Sequence, residues 1–380
     1  MSNPPLQLSP LLARRILLRA AGLAEMPRWR GLSGAQACLE RLGEVQLDPI
    51  DRIGTNADLV FGARVDGLRR GDWGRLSDTF EHFSKERCLL PGRRFAAWRS
   101  HAAQAPWWRL SSRLERLPAE AIDGVWAEVR DRGPLTARQL SDHGAVRRID
   151  WSGWKGTGKA GTMALEVLWT RCRVVVSGRT RTGERIYDLP ERSLSRWVSQ
   201  DNVSVDFFED GLDHRIAVAG LLRTAGGPQW SALSPMRKTD ALARRLADGR
   251  LVQVQLAGSR RAWLTTPAML AEADTPVQTD ERVRILGPLD PLMWDRPLIK
   301  LAFGFDYVWE VYKPRNKRQW GYYVCPLLWR GQLVGRVEAH RGDDGQVVVD
   351  QLWWEDDAPR PPRSRLRTAL ERWSAFQERR

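Results

Sequence analysis

Arg173-Val174-Val175-Val176-Ser177-Gly178-Arg179-Thr180-Arg181-Thr182-Gly183-Glu184-Arg185-Ile186-Tyr187-Asp188-Leu189 reads as two apolar runs around a glycine-bounded turn. Arg173 to Ser177 and Ile186 to Leu189 have the residues of strands. Gly178 to Gly183 has turn chemistry and carries two cations at its tip. Three helical patterns come first: Ala119 to Arg132, closed by Gly133-Pro134; Thr136 to His143, with Thr136 as its N-cap; and Lys159 to Arg171. Three helices and then a hairpin with a basic tip is the order of a winged helix. In that arrangement the third helix lies along a groove of DNA, and Arg179 and Arg181 in the wing meet phosphates.

The same order recurs downstream without sequence self-similarity. Leu212 to Thr224 reads as a helix, Ser231 to Leu233 as a capped break and Pro235 to Asp248 as a helix. Leu251 to Leu256 and Arg260 to Leu264 form a hairpin around Ala257-Gly258-Ser259. From Arg282 on the pattern changes to closely spaced strands at Tyr307 to Tyr312, Gly321 to Leu328, Leu333 to Ala339 and Val347 to Trp354. That spacing predicts a small sheet or barrel, followed by a terminal helix from Ser364 to Gln377. Upstream, Leu8 to Leu23 is an amphipathic helix capped by Ser9 and Pro10. Ala35 to Val45 is a second helix, and Pro106 to Leu117 is a Trp- and Arg-rich bridge. The fold expected is α+β: tandem winged-helix (helix-turn-helix) domains with a C-terminal β-barrel-like domain and a terminal helix. Its segments are a winged-helix-like domain, 1–105, that carries Gln46 and Asp48; winged-helix domains 106–200 and 201–280; and the β domain with the terminal helix, 281–380.

The 380 residues carry a net charge of +14, spread through segments with structured patterns and not confined to a tail. That favours a polyanion partner, nucleic acid before a membrane surface. No run of about 18 apolar residues predicts a membrane span, and the first residues lack the pattern of a secretory leader. Cys38, Cys88, Cys172 and Cys325 are far apart, with no ligand spacing to a histidine. They read as reduced core thiols of a cytoplasmic protein that uses no metal and no cofactor.

One stretch of the N-terminal segment carries chemistry: Gly43-Glu44-Val45-Gln46-Leu47-Asp48-Pro49-Ile50. A residue before proline is held extended, and extended residues two apart share a face. Gln46 and Asp48 then point the same way. An amide beside a carboxylate can hold a water and answer positive charge on a sugar; the plainer reading makes Asp48 a turn cap.

Motifs along most of the chain resemble the YcaQ/AlkZ type of bacterial DNA glycosylase. They are Gly43 to Asp48; Phe80-Glu81 with Leu89-Leu90-Pro91; Trp154-Lys155 with Ala164-Leu165-Glu166; and Tyr187 to Arg192. Leu289 to Arg296 follows, then Leu301 to Tyr307, Tyr312-Lys313-Pro314, Lys317 to Tyr323 and Val334-Gly335-Arg336. The resemblance implies tandem winged helices with a C-terminal β domain. It implies excision of alkylated purines, N7-alkylguanine among them, and unhooking of interstrand crosslinks. It also implies that Gln46 and Asp48 are the catalytic pair. The sequence departs from the family pattern at Lys85, where a histidine usually stands, and is more polar after the triplet, at Pro49 to Arg52.

Asp48 is therefore expected to act as general base and electrostatic partner, and Gln46 to orient the water. Lys85 is a candidate DNA contact, either holding a phosphate near the lesion or standing in for a histidine that acts in the chemistry. Trp154, Lys155 and Lys159 are further candidate DNA contacts, although tryptophans at the spacing of Trp151 and Trp154 also serve as packing residues. So are Arg179 and Arg181, and the cluster Lys313, Lys317 and Arg318, for which a solvated loop is the plainer reading. Asp290 and Asp295 read as turn and capping residues. The partner expected is double-stranded DNA with alkylated or crosslinked bases, bound by a monomer at the nucleoid. The alternative is a non-enzymatic winged-helix regulator, in which Gln46 and Asp48 are structural.

Overall fold

The computed structural model describes residues 5–24, 29–104, 115–147, 157–198, 206–279 and 281–376. Trp151, Trp154, Lys155 and most of the expected bridge lie outside them. The fold mixes helices and sheets, and its residues group into two compact units, each discontinuous in sequence. One unit comprises residues 1–73, 84–87 and 211–380; the other comprises 74–83 and 88–210.

The second unit is built around the stretch quoted first. Val175–Arg179 and Arg185–Asp188 form an antiparallel hairpin, with Val176 opposite Tyr187 and a bulge before Gly178. The short strand Leu135–Thr136 pairs on the far side of Arg185–Asp188. Helices Ala119–Arg132 and Ala160–Thr170 bury Val125, Val129, Leu165 and Leu168 in one core with Val174 and Val176. The helix expected over Thr136 to His143 is only a 3-10 turn, Ala137–Gln139. Thr136 and Gln139 cap it reciprocally, and beyond it Asp142 closes a local turn onto the Gly144 amide at 2.9 Å, which diverts the backbone from helical bonding.

The first unit opens with helix Pro10–Ala20, where the Ser9 side chain accepts from the Leu12 amide and Pro10 occupies the first turn. Two of its arginines bond to carbonyls elsewhere in the unit: Arg14 donates to that of Ala302 at 3.0 Å and Arg15 to that of Ala273 at 3.0 Å. Leu6–Leu8 joins Val252–Leu256, Ala262–Thr265 and Leu222–Arg223 in a four-stranded sheet. The continuous helix expected over Pro235 to Asp248 is broken into a 3-10 segment, Ser231–Lys238, and a helix, Ala241–Ala247. At the break, Thr239 Oγ1 donates to the Met236 carbonyl at 2.8 Å and accepts from the Ala241 amide at 3.3 Å.

The C-terminal strands Arg284–Ile285, Val324–Trp329, Gln332–Arg341 and Val347–Trp354 form an antiparallel sheet in sequence order, and no closed barrel is formed. Tyr307 to Tyr312, expected as a strand, is not one. Tyr307 is buried, its hydroxyl donating to the Val324 carbonyl at 2.6 Å, and the chain beyond it coils around Glu310. The terminal helix is Arg363–Phe376.

Candidate active site

Helix Gly31–Leu42 buries Cys38, Leu39 and Leu42 and stops at Gly43, which adopts a left-handed conformation (φ 68°). A Cβ there would lie 1.5 Å from the His214 ring, so glycine is required by both backbone and space. Val45–Gln46 is a short strand, and the Leu47 amide donates to the Arg87 carbonyl at 2.8 Å. Asn56, fully buried, donates to the Gln46 carbonyl at 2.8 Å and accepts from the Leu289 amide at 3.2 Å. The segment's backbone is thus fixed on both sides.

Three polar side chains alternate along it: Glu44, Gln46 and Asp48. Glu44 is fully buried. Arg215 Nε lies 2.8 Å from one of its oxygens, and the Lys85 amide donates to the other at 3.3 Å. Arg215 also donates to Ser84 Oγ at 2.8 Å. The Gln46 side chain is 7% exposed, and its Oε1 accepts from the Lys85 ammonium at 2.7 Å. Lys85 and Arg215 lie 5.3 Å and 5.9 Å from the centre of the Trp294 ring, the cations favoured by its π face. The Trp294 indole is fixed by donating to the Leu289 carbonyl at 3.0 Å.

Asp48 is half-buried, and its Oδ1 accepts from the Ile50 amide at 2.9 Å, so the turn-capping role is present. It occupies one oxygen; Oδ2 has no hydrogen-bond partner among the described residues. Burial pushes the Asp48 carboxyl above the ordinary range, while the Ile50 N–H and the nearby Arg87 charge pull it back. Buried Tyr323 feels the Asp48 charge: burial first, then Cys325 and Asp48, hold its hydroxyl protonated well above the usual range.

Lys85, for which a phosphate contact and a part in the chemistry are both open, is 8% exposed, and its ammonium donates to Gln46. In the second unit, Arg179 is partly committed to the buried Glu81 carboxylate and to the Gly183 carbonyl at 2.9 Å, whereas Arg181 is exposed at the turn. Lys159 is exposed at the start of helix Ala160–Thr170.

Lys313 and Lys317 are exposed in a loop shaped by Glu310. This buried carboxylate accepts from Lys313 at 2.8 Å and from the Gln319 and Trp320 amides at 3.1 and 2.7 Å. Burial alone would raise its pKa, yet these donors bring it down to about 2. Arg318 donates to the Lys313 carbonyl at 2.8 Å and stacks 4.9 Å over Tyr322, and Tyr312 in the same loop is 84% exposed. Asp290 and Asp295 cap the turns that follow them, as their positions predict.

Sequence reasoning passed over Glu44, Asn56, Ser84, Arg87, Arg215 and Trp294. Glu44 was within reach, since it continues the two-residue alternation of Gln46 and Asp48. Arg215 carries no such signal, its pairing being visible only once residues 171 positions apart are brought together.

The family description "DNA glycosylase AlkZ-like" matches residues 39–376 of this chain. Among solved structures, the Streptomyces sahachiroi DNA glycosylase AlkZ is similar in fold. It has a TM-score of 0.56 and 17% sequence identity, over 97% of this chain and 98% of that one.

Proposed function

This chain belongs to the AlkZ-like DNA glycosylase family and is a DNA glycosylase; on that premise we propose that it hydrolyses the N-glycosidic bond of alkylated purines, N7-alkylguanine above all, and unhooks interstrand crosslinks. The observation that carries the reading is one segment holding both a carboxylate with an open oxygen, Asp48 Oδ2, and a buried, oriented amide, Gln46.

Alkylation at N7 makes the purine cationic. The electron pair of the C1′–N9 bond therefore leaves with the base, which departs neutral and needs no general acid. The enzyme has to supply water and charge. Asp48 takes one proton as the water oxygen bonds to C1′, and its charge answers the positive charge on the sugar. A base tied to the opposite strand cannot be turned into a deep pocket. A half-exposed Asp48 supports a site that acts on a nucleotide displaced only slightly.

In this reading residues 1–105 form a winged-helix-like domain, the helices Ala119–Arg132 and Ala160–Thr170 with the hairpin form a second winged helix, and a third runs from Phe207 to Thr265. Lys159, Arg181, Lys313, Lys317 and Arg318 meet phosphates, with Arg179 sharing its charge with Glu81. The protein acts as a monomer at the nucleoid. No helix among the described residues is long and apolar enough to cross a membrane. The regulator reading has no support from a family of DNA glycosylases.

The test is incubation with a duplex carrying N7-methylguanine, followed by chromatography of released bases. Release from that duplex and none from its unmodified counterpart is expected. No release from any N7-alkylated duplex would overturn the substrate reading, and a crosslinked duplex run alongside decides unhooking separately.

A further inference from the structure

We infer that Lys85 is a positioning residue: it fixes the Gln46 amide with its oxygen turned inward and its N–H donors turned to the reacting water. The inference rests on the excision reading above and goes on to assign which atom of Gln46 does the work.

An amide offers an acceptor on one side and donors on the other, and the two ends are nearly the same shape. An ammonium has donors only. With Lys85 Nζ 2.7 Å from the Gln46 side chain, the atom facing it must be Oε1. Lys85 is itself held, its backbone amide on Glu44 and its charge beside the Trp294 ring. Gln46 is 93% buried by its 7% exposure, and its Nε2 makes no hydrogen bond among the described residues. A buried side chain with one end capped and the other open presents a single chemistry to whatever binds beside it.

That chemistry complements Asp48. A water held between them gives one lone pair to the Gln46 N–H and one proton to Asp48, which leaves its second lone pair free for C1′. Two acceptors side by side would compete for the water's protons and leave its attacking lone pair unconstrained. Gln46 thus orients the water's oxygen, and Lys85 sets that polarity without touching substrate.

Two variants separate this from a phosphate contact and from a purely structural role. Lys85→Met keeps the length of the side chain but cannot donate. Single-turnover excision should fall about tenfold, the size of one well-placed hydrogen bond, with DNA affinity and its salt slope unchanged. Gln46→Glu keeps an oxygen for Lys85 but offers no donor to the water, so it should lose as much activity as Gln46→Ala. Rapid excision by Gln46→Glu would overturn the inference, as would Lys85→Met with intact chemistry and weakened, less salt-dependent binding.

A third measurement does not depend on activity. In protein labelled with ¹⁵N-glutamine, the side-chain NH₂ pair that disappears in Gln46→Ala should move in Lys85→Met toward the position of a free amide. An unmoved pair would also overturn the inference. If the wild-type protein released no base, the substrate reading would fail, and the NMR result alone would decide the orientation of Gln46.

Discussion

At the scale of single residues, Asp48 as the proposed base combines two demands that pull against each other. Burial raises its pKa, which makes it a better base but reduces its ionised fraction in acid; the Arg87 charge holds the pKa down. Arg87→Gln removes that charge while leaving the backbone carbonyl that Leu47 uses. The acid limb of the single-turnover pH profile should therefore move to higher pH. A limb that stays in place or moves lower would mean that Asp48 is not the titrating base. The stability effect has the opposite sense to that of a salt-bridged carboxylate. Because its pKa is raised on folding, Asp48 binds its proton more tightly in the folded protein than in the unfolded chain. Its ionisation thus weakens folding as pH rises through that pKa. The candidate stretch was legible in sequence, because two polar residues two positions apart ahead of Pro49 predict a shared face in an extended chain. The place of Lys85 was not, since a lysine's ordinary place is the surface, whereas here its ammonium donates to the buried Gln46 oxygen and lies beside the Trp294 ring.

At the scale of elements, the hairpin Val175–Arg179 with Arg185–Asp188 and the two helices beneath it follow directly from β-branched and apolar periodicity. The misses occur where side chains divert the backbone locally: Asp142, Thr239 and Glu310. Glu310 turns a strand-like stretch into a clamped loop, because Lys313 and the amides of Gln319, Trp320 and Gly321, all donating to one buried carboxylate, outweigh the β preference of Tyr307 to Tyr312. The loop's cations give a second prediction. Lys317→Ala and Arg318→Ala should each weaken binding about equally on all duplex sequences. Each should also flatten the logarithmic salt slope by about 1, as for the loss of one phosphate contact. Unchanged slopes would return these residues to a solvated loop.

At the scale of the whole molecule, the first unit brings together segments from both ends of the chain, which no local pattern announces. One buried group shows how. Arg64, fully buried, donates to the Ala21 carbonyl at 2.7 Å, to the Val60 carbonyl at 2.9 Å and, through two bonds of 2.8 Å each, to Asp290. Neither charge has access to water, so each depends on the other. Asp290→Asn should destabilise the protein by about 3–5 kcal/mol in chemical denaturation, the cost of leaving a buried charge uncompensated. A loss under about 1 kcal/mol would show that water or another group reaches Arg64. The net charge of +14 was legible from composition and leads to steep salt dependence of binding; the partner in the pair at Arg64 was not, because 226 residues separate it from Asp290.

The most direct measurement is single-turnover excision of N7-methylguanine by Asp48→Asn, run beside a binding titration and a thermal melt of the same variant. The substitution keeps the side chain's shape and its acceptor for the Ile50 amide, and removes only charge and basicity. Excision should fall by about 10²-fold or more, with DNA binding retained and the melting temperature at neutral pH unchanged or higher. Excision at the wild-type rate by a folded, DNA-bound Asp48→Asn would contradict the catalytic assignment and leave Asp48 as the turn cap that its Oδ1 already is.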